Sequence, residues 1–182
     1  MRIVLLWLLL LPAAASADEA LWSLLERGGH VVLIRHTITS PGAGDPPGMR
    51  LEECGTQRNL SDEGRRHARR IGAVFRSRGI RVERVLSSPW CRCLETARLA
   101  FGKAEVSHAL GNLFGRPQNR EKQVEQMKEL VSEPRKGANR VLVSHGSTIL
   151  ALTGVSPGTG ELVIVSPRGE GGFVVAGRLT PP

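Results

Sequence analysis

Short runs of consecutive hydrophobic residues alternate along this chain with segments in which hydrophobic positions recur every three or four residues. The short runs predict buried strands, and the periodic segments predict amphipathic helices. Strands are predicted over residues 30–34, 82–87, 104–106, 141–143, 161–165 and 173–176, and helices over 20–27, 61–78, 90–99, 121–131 and 147–152. Because this alternation is typical of α/β domains, we predict a three-layer α/β/α sandwich around a mostly parallel central sheet.

Three of the predicted strands release basic or imidazole side chains directly after their last residue or within a few positions. Arg35 and His36 directly follow the first strand, Arg92 follows the second within a few positions, and His145 follows the strand over 141–143. In open α/β sheets, ligands bind beyond the carboxyl ends of the strands. The pattern therefore predicts one anion-binding site at this edge, with histidine available for nucleophilic chemistry.

The residues around these positions resemble the histidine phosphatase superfamily, in its phosphoglycerate mutase-like branch. The resemblance is carried by Arg35-His36-Thr37, Asn59-Leu60-Ser61-x-x-Gly64, Ser87-Ser88-Pro89-x-x-Arg92-x-x-x-Thr96-Ala97 and Ser144-His145-Gly146. It extends over about residues 31–165 and implies a phosphoglycerate mutase-like fold. Thr37 stands where the superfamily often has glycine.

The resemblance implies a role for each of these basic side chains. His36 would attack phosphorus and form a phosphohistidine, while Arg35, Arg92 and His145 would hold the phosphoryl oxygens. Guanidinium groups bind such oxygens bidentately, and a neutral imidazole has a free lone pair. His145 is expected to act as an imidazolium. With these cations present, we expect neither a metal nor another cofactor.

The proton donor and the substrate contacts are less evident. Mutase-like members carry a glutamate in a segment that here, at 110–116, contains no carboxylate. Glu161, which follows two nearby glycines, is the candidate acid in its place. Arg58 and Arg116 are the candidate substrate-binding residues, because each lies in a loop close to one of the motifs.

The N-terminal segment has the pattern of a signal peptide. Met1-Arg2 is a short positive region, residues 3–11 are apolar, and Ala15-Ser16-Ala17 is a cleavage sequence. We therefore expect a signal peptide over 1–17, a histidine phosphatase domain over 18–182, and a periplasmic or secreted protein. The apolar segment is too short for a membrane span, which needs about 20 residues, so no stable span is expected after cleavage.

Charge and cysteine content restrict the partners. The formal net charge of +8 favours anionic partners, but aromatic residues are only 4% of the chain, so a base-stacking surface for nucleic acid is not expected. Disulfides form readily in exported proteins. Cys54 can be bridged to Cys91 or to Cys93, or all three can be free thiols; their spacing does not indicate a metal site.

Together these observations predict an exported, metal-independent phosphomonoesterase of the histidine acid phosphatase type. It would act through a phosphohistidine intermediate on a small phosphorylated substrate, such as an envelope sugar phosphate of the lipopolysaccharide core. A phosphoprotein or phosphohistidine phosphatase is the alternative enzyme, and a non-catalytic phosphate- or glycan-binding module is the alternative without catalysis.

Overall fold

The structure, a computed structural model, describes residues 13–181, with side chains from position 17 onward. It contains a single sheet of six strands flanked by helices. The strands are β1 (Val31–Arg35), β2 (Val82–Ser87), β3 (Glu105–Val106), β4 (Asn139–Ser144), β5 (Leu162–Gly169) and β6 (Gly172–Leu179). The helices are α1 (Ala13–Arg27), α2 (Asp62–Ser77), α3 (Cys91–Phe101), α4 (Arg120–Ser132) and α5 (Gly146–Thr153), with three short 3-10 turns between them.

The strand order explains why the sheet is parallel only in part. The order is β3-β2-β4-β1-β5-β6. The first four strands are parallel, whereas β5 and β6 form an antiparallel hairpin that adds to the edge of β1. This confirms the predicted mostly parallel sheet. Three of the parallel strands, β1, β2 and β4, carry the motif residues, so these residues emerge at one edge of the sheet.

Both faces of the sheet are covered, which makes the predicted three layers. Helices α1, α2 and α3 pack on one face against alternate residues of β1, including Val32 and Ile34. Helices α4 and α5 pack on the other face against Val31 and Leu33. Because successive strand residues point to opposite faces, a continuous apolar run such as 31–34 is what a strand buried on both sides requires.

The N-terminal helix begins earlier than the sequence pattern predicts. It starts at Ala13 rather than at Ala20, and its C-terminal half packs Trp22 and Leu25 into the core. Of the predicted signal peptide, residues 1–12 lie outside the described part of the chain, and the proposed cleavage sequence at 15–17 lies in the first turns of α1. No helix within residues 13–181 is long and apolar enough to cross a bilayer.

The structure selects one of the cysteine arrangements that the sequence left open. Cys54 and Cys91 are bridged, with their Cα atoms 5.7 Å apart. Cys93 is a free, buried thiol. The bridge joins the turn before the Asn59-Leu60-Ser61 segment to Cys91, the first residue of α3. Arg92 is the next residue of this helix.

The start of α2 explains the Ser61-x-x-Gly64 pattern. The Ser61 hydroxyl accepts a hydrogen bond from the Gly64 amide at 3.0 Å, so Ser61 is the N-cap that its residue type predicts. A Cβ at Gly64 would lie only 1.9 Å from the carbonyl oxygen of Ile38. Glycine is therefore required here so that α2 can approach the chain that follows His36.

Replacing Gly64 with alanine is expected to destabilise the protein strongly, because the added methyl group would overlap the Ile38 carbonyl. Overpacking of this kind costs about 1–3 kcal/mol or more, so the free energy of unfolding should fall by at least that amount in a denaturant titration. Gly55→Ala is the matched control, because a Cβ there meets nothing within 4 Å. Equal stability of the two variants would contradict the close packing of α2.

Candidate active site

The motif residues meet at the carboxyl ends of β1, β4 and β2. Backbone hydrogen bonds hold the three chain segments together beyond the strands: the His36 amide donates to the Ser144 carbonyl, and the Ser88 amide donates to the Val143 carbonyl, each at 2.9 Å. The predicted residues Arg35, His36, Arg92 and His145 all line one cavity of about 390 Å³ at this edge.

His36 has the geometry of a neutral imidazole with one nitrogen free. Its Nδ1 lies 2.9 Å from the Thr37 carbonyl oxygen. Since a carbonyl only accepts, Nδ1 carries the proton and Nε2 keeps its lone pair. Burial, followed by the charges of Arg92, Arg35 and Arg58, lowers the pKa of His36 to about 3 although the Thr37 hydrogen bond opposes this. His36 is therefore unprotonated at neutral pH, as a nucleophile must be.

His145 faces His36, with 5.4 Å between the ring centroids. Its Nε2 lies 2.8 Å from Ser88 Oγ. Because the Trp90 amide donates to this hydroxyl at 3.4 Å, Ser88 can donate to Nε2, which leaves the His145 proton on Nδ1. Nδ1 is buried without a partner, so it is available to a phosphoryl oxygen.

The protonation state of His145 differs from the sequence-based expectation. Burial lowers its pKa well below the ordinary value, and the charges of His36, Arg92 and Arg35 lower it further. The free site therefore holds a neutral imidazole rather than the expected imidazolium. The reason is that His145 is buried close to the cations that would bind phosphate, and the sequence alone does not show this crowding.

The atypical Thr37 connects the His36 loop to two helices. Its hydroxyl donates to the Gly64 carbonyl at 2.9 Å, and its amide donates to Thr96 Oγ1 at 3.2 Å. Thr96 and Gly64 both belong to the recognised motifs, in α3 and α2. Thr37 is fully buried, so these bonds fix the direction in which the neighbouring His36 enters the cavity.

Four polar nitrogen atoms of the cavity-lining residues are buried and have no hydrogen-bond partner within the described chain. They are Nε of Arg35, Nε of Arg58, Nε of Arg92 and Nδ1 of His145. Buried polar groups in folded proteins are almost always hydrogen-bonded. The residues that carry these nitrogens all line the cavity beside His36, and such a lining suits an anionic ligand with several oxygen acceptors.

The structure adds one charged residue that the sequence analysis did not identify. Asp45, in the Pro- and Gly-rich loop over 40–48, forms a two-bond ion pair with the buried Arg92. Burial alone would raise the pKa of Asp45, but hydrogen bonds and charge from Arg92 outweigh it and hold this pKa below the ordinary value. The available signal in the sequence was a single acidic residue inside a loop rich in proline and glycine that closely follows Arg35 and His36.

The two candidate substrate-binding arginines occupy different places. Arg58 lines the cavity with His36, and its Nη1 donates to the Gly42 carbonyl. Arg116 does not line this cavity; its guanidinium lies 5.0 Å from the centre of the Trp90 ring and borders an adjoining cavity. Trp90 in turn contacts the His145 ring, with 5.2 Å between the centroids. The substrate contact of Arg116 stays a prediction.

Glu161 is buried, but its carboxylate is already occupied. Oε1 accepts from Arg178 Nε at 2.5 Å, and Oε2 accepts from the Gly158 amide at 2.6 Å. Glu161 is not among the residues that line the cavity with His36. Its role as the proton donor stays a prediction of the sequence, and this placement favours instead a structural role at the start of β5.

No cluster of three or more His, Cys, Asp or Glu side chains in residues 13–181 has the arrangement of a metal site. The free thiol Cys93 is buried beside His145, 3.5 Å from its Nε2, and burial raises the pKa of Cys93 to about 12. This thiol is therefore not a nucleophile at neutral pH.

Buried imidazoles make the stability of the protein depend on pH. The pKa of His36 falls from 6.5 to about 3 on folding, so between these values the unfolded chain binds a proton that the folded chain does not. The free energy of unfolding should therefore fall as the pH is lowered from 6.5 toward 3. His145, whose pKa is also lowered, adds to the same effect.

Denaturant titrations between pH 7 and pH 4 measure this dependence. His36→Gln removes one of these groups, so the stability of this variant should change less with pH than that of the parent protein. The exposed His108, replaced in the same way, serves as the control and should leave the pH dependence as it is. An unchanged slope in His36→Gln would contradict a buried, neutral His36.

Comparison with known proteins agrees with this site. The family model described as histidine phosphatase superfamily (branch 1) matches residues 31–112. No curated protein matches the chain. Among solved structures, the protein histidine phosphatase SixA complexed with tungstate is similar, with a TM-score of 0.55 and 20% identity over 84% of this chain and 97% of that one.

Two further solved structures have the same fold. Phosphoserine phosphatase of Entamoeba histolytica, in complex with 3-phosphoglyceric acid, has a TM-score of 0.59 and 16% identity, over 83% of this chain and 96% of that one. The alpha-ribazole phosphatase of Shigella flexneri has a TM-score of 0.56 and 16% identity, over 80% of this chain and 94% of that one. At such identities the likeness establishes the fold.

The resemblance that the motifs carry is therefore confirmed. The chain matches the histidine phosphatase superfamily model over residues 31–112 and has the phosphoglycerate mutase-like fold. The family model covers the segments with Arg35-His36 and Arg92, while His145 lies beyond the matched residues and is joined to them by the sheet.

Proposed function

We propose that this protein is an exported, metal-independent phosphomonoesterase that acts through a phosphohistidine at His36. The observation that carries the proposal is the set of unpartnered nitrogens of Arg35, Arg58, Arg92 and His145 around the free Nε2 of His36. Three structurally similar proteins are named as phosphatases. A binding module would need the cations but not an imidazole nitrogen kept free and unprotonated beside them.

The reaction would proceed in two displacements. The lone pair of His36 Nε2 forms the bond to phosphorus while the bond from phosphorus to the leaving oxygen breaks, and that oxygen takes a proton from water. A water molecule then attacks the phosphohistidine, which releases inorganic phosphate and restores the imidazole. The arginines stabilise the negative charge on the phosphoryl oxygens in both transition states, where electrostatic stabilisation is most effective.

The proposed substrate is an envelope sugar phosphate, such as one of the lipopolysaccharide core. Two exposed hydrophobic residues, Phe114 and Leu150, line the cavity that contains His36, and 67% of the Phe114 surface is accessible. An aromatic side chain beside a few polar groups is a common way to bind an organic leaving group. The positive net charge of +8 also suits an anionic surface.

A phosphoprotein or phosphohistidine substrate is the second candidate, and a specific observation favours phosphohistidine. No carboxylate is found among the described residues that line the cavity with His36. An alcohol is a poor leaving group and gains about 10²–10⁴-fold from a positioned proton donor. Phosphohistidine has a better leaving group, so it needs this donor less.

A panel of phosphomonoesters on the purified protein distinguishes these candidates. The panel contains sugar phosphates, phosphoserine peptides and phosphohistidine peptides, with kcat/KM measured for each. The first proposal requires the highest kcat/KM for a sugar phosphate, and the second requires it for a phosphopeptide. Rapid quenching with a radiolabelled substrate should trap phosphate on His36 in a bond that survives alkali and is lost in acid. Trapping on any other residue would overturn the mechanism.

Chelators are expected to leave the activity unchanged, because Arg35, Arg58 and Arg92 provide the positive charge that a metal ion would otherwise supply. Turnover of p-nitrophenyl phosphate is measured after incubation with EDTA and dialysis. The matched sample receives Mg²⁺ or Zn²⁺ after the same treatment. Activity that is lost with EDTA and restored by either metal would contradict a metal-independent reaction.

Export is proposed from the N-terminal pattern, and the bridge between Cys54 and Cys91 supports it because structural disulfides persist in oxidising compartments. Fractionation of cells that express the full chain with a C-terminal tag tests this. The tagged protein should be found outside the cytoplasm, with an N-terminus near Asp18. A cytoplasmic protein that keeps Met1 would refute export without affecting the catalytic proposal.

A further inference from the structure

Asp45 lies at a junction of hydrogen bonds from three parts of the site. Its Oδ1 accepts from Arg92 Nη1 at 2.6 Å and from the Arg58 amide at 3.2 Å. Its Oδ2 accepts from Arg92 Nη2 at 3.1 Å and from Trp90 Nε1 at 3.0 Å. One carboxylate thus holds a phosphate-binding side chain, the backbone of a second such residue, and the indole that packs on His145.

The two edges of the Arg92 guanidinium are used differently. A guanidinium has five N–H donors, and Arg92 gives three of them to Asp45 and to the Arg58 carbonyl. The remaining donors are Nε–H, which is buried and has no partner, and one N–H of Nη2. These two N–H groups are adjacent, so they form a second fork that fits two oxygens of a phosphoryl group.

Asp45 does not line the cavity that Arg92 shares with His36. It borders instead the adjoining cavity with Trp90 and Arg116. The pair is well buried, with 2% of the Arg92 side chain and 10% of the Asp45 side chain exposed. The carboxylate therefore holds one edge of the guanidinium and does not occupy the place of the phosphoryl group.

We propose that Asp45 is a positioning residue that fixes Arg92 in the orientation required to bind the phosphoryl group, and that it acts on turnover through Arg92. The inference rests on the proposed function, because it takes Arg92 as a phosphoryl ligand. A long arginine side chain without this anchor would have to be ordered by the substrate itself, which weakens binding and misplaces the charge in the transition state.

Two other roles of Asp45 would give different results. If Asp45 instead competed with phosphate for Arg92, its removal would strengthen the binding of inorganic phosphate and raise turnover. If it only anchored the loop over 40–48, its loss would affect the protein equally whether or not Arg92 could form the fork. A double-mutant cycle separates these roles, since it measures the coupling between two residues.

The cycle combines Asp45→Asn with Arg92→Lys, a change that keeps the positive charge but removes the fork. Asp45→Asn alone is expected to lower kcat/KM for p-nitrophenyl phosphate by about 100-fold, and to weaken inorganic phosphate binding by more than tenfold. Added to Arg92→Lys, the same change should lower either quantity by less than about threefold. The proposal would be overturned if the losses of the two single variants multiplied in the double variant. It would also be overturned if Asp45→Asn alone left the rate unchanged or raised it.

One control tests the loss of a negative charge elsewhere on the protein, and a second tests whether each variant is folded. Asp62→Asn removes an aspartate from an exposed pair with Arg65 and should change neither turnover nor phosphate binding. Thermal unfolding of each variant verifies that it is folded. If Asp45→Asn does not fold, Asp45→Glu replaces it in the same cycle, since one more methylene displaces the carboxylate while keeping its charge, and the same non-additivity is required.

The binding measurement separates this proposal from the proposed function. A parent protein that binds inorganic phosphate without hydrolysing phosphomonoesters would refute the enzyme, and the cycle would then be evaluated from phosphate dissociation constants alone. A parent protein that neither binds phosphate nor hydrolyses phosphomonoesters would overturn both proposals. Normal turnover with an additive cycle would overturn only the role of Asp45.

Discussion

Replacing His36 with alanine is expected to reduce the turnover of every phosphomonoester by at least about 100-fold, which corresponds to about 2.7 kcal/mol of barrier, while inorganic phosphate or vanadate still binds. The loss is expected because Nε2 of His36 is the free nitrogen next to the cationic groups. Binding persists because Arg35, Arg58 and Arg92 remain in the cavity.

Two measurements are required for this prediction. Initial rates with p-nitrophenyl phosphate give the loss of turnover, and isothermal titration with vanadate gives the affinity. His108→Ala is the matched control, since this histidine is exposed and lies outside the cavity. A His36→Ala variant that keeps more than about a hundredth of the parent rate would show that another group carries the phosphoryl transfer.

Replacing Arg35 with alanine is expected to have the second-largest effect, a loss of about 10²–10³-fold in kcat/KM, which is typical for the removal of one preorganised donor to a developing negative charge. Arg35 Nη1 donates to the Pro157 carbonyl at 2.9 Å, which orients the guanidinium, and its Nε is left without a partner. The close approach of Gly146, where a Cβ would lie 3.4 Å from Nε, further restricts this side chain.

The Arg35 and His36 variants should differ in binding. Arg35→Ala is expected to weaken vanadate binding together with turnover, whereas His36→Ala loses turnover while vanadate still binds. Arg35→Lys should retain more activity than Arg35→Ala, since it keeps the charge and loses only the fork. Arg84→Ala, which removes an exposed arginine paired with Glu105, is the control. Undiminished vanadate binding in Arg35→Ala would contradict its role as a phosphoryl ligand.

Much of the fold could be predicted because strands buried on both faces leave a clear pattern. The continuous apolar runs before Arg35 and before His145 predict buried strands that end at the same edge of the sheet. The structure shows in addition that they are neighbours, with Arg35 paired with Ser144 in register. Element boundaries were less accurate, as at Ala13, where α1 begins. Helix ends depend on packing as well as on local preference, so a single sequence specifies them less well.

The sequence could predict that His36 lies close to Arg35, Arg92 and His145, because parallel strands end at the same edge of the sheet. The sequence could not show which further charges reach that edge from loops. Arg58 enters the cavity, Arg116 packs on Trp90, and Glu161 pairs with Arg178. All three residues lie near motifs along the chain, so their positions in the sequence do not distinguish them. Only the paths of the loops and strands determine which of them reaches the cavity.

The sequence by itself determined the layers of the fold and the motif residues at the strand ends, because each of these follows from local periodicity or from a fixed spacing. The tertiary structure alone decided the partner of Cys54, the protonation of His145 and the place of Asp45. Each of these depends on groups far apart in the chain. The burial of a side chain and the charge around it depend on all of its neighbours in the fold, and only folding brings these neighbours together.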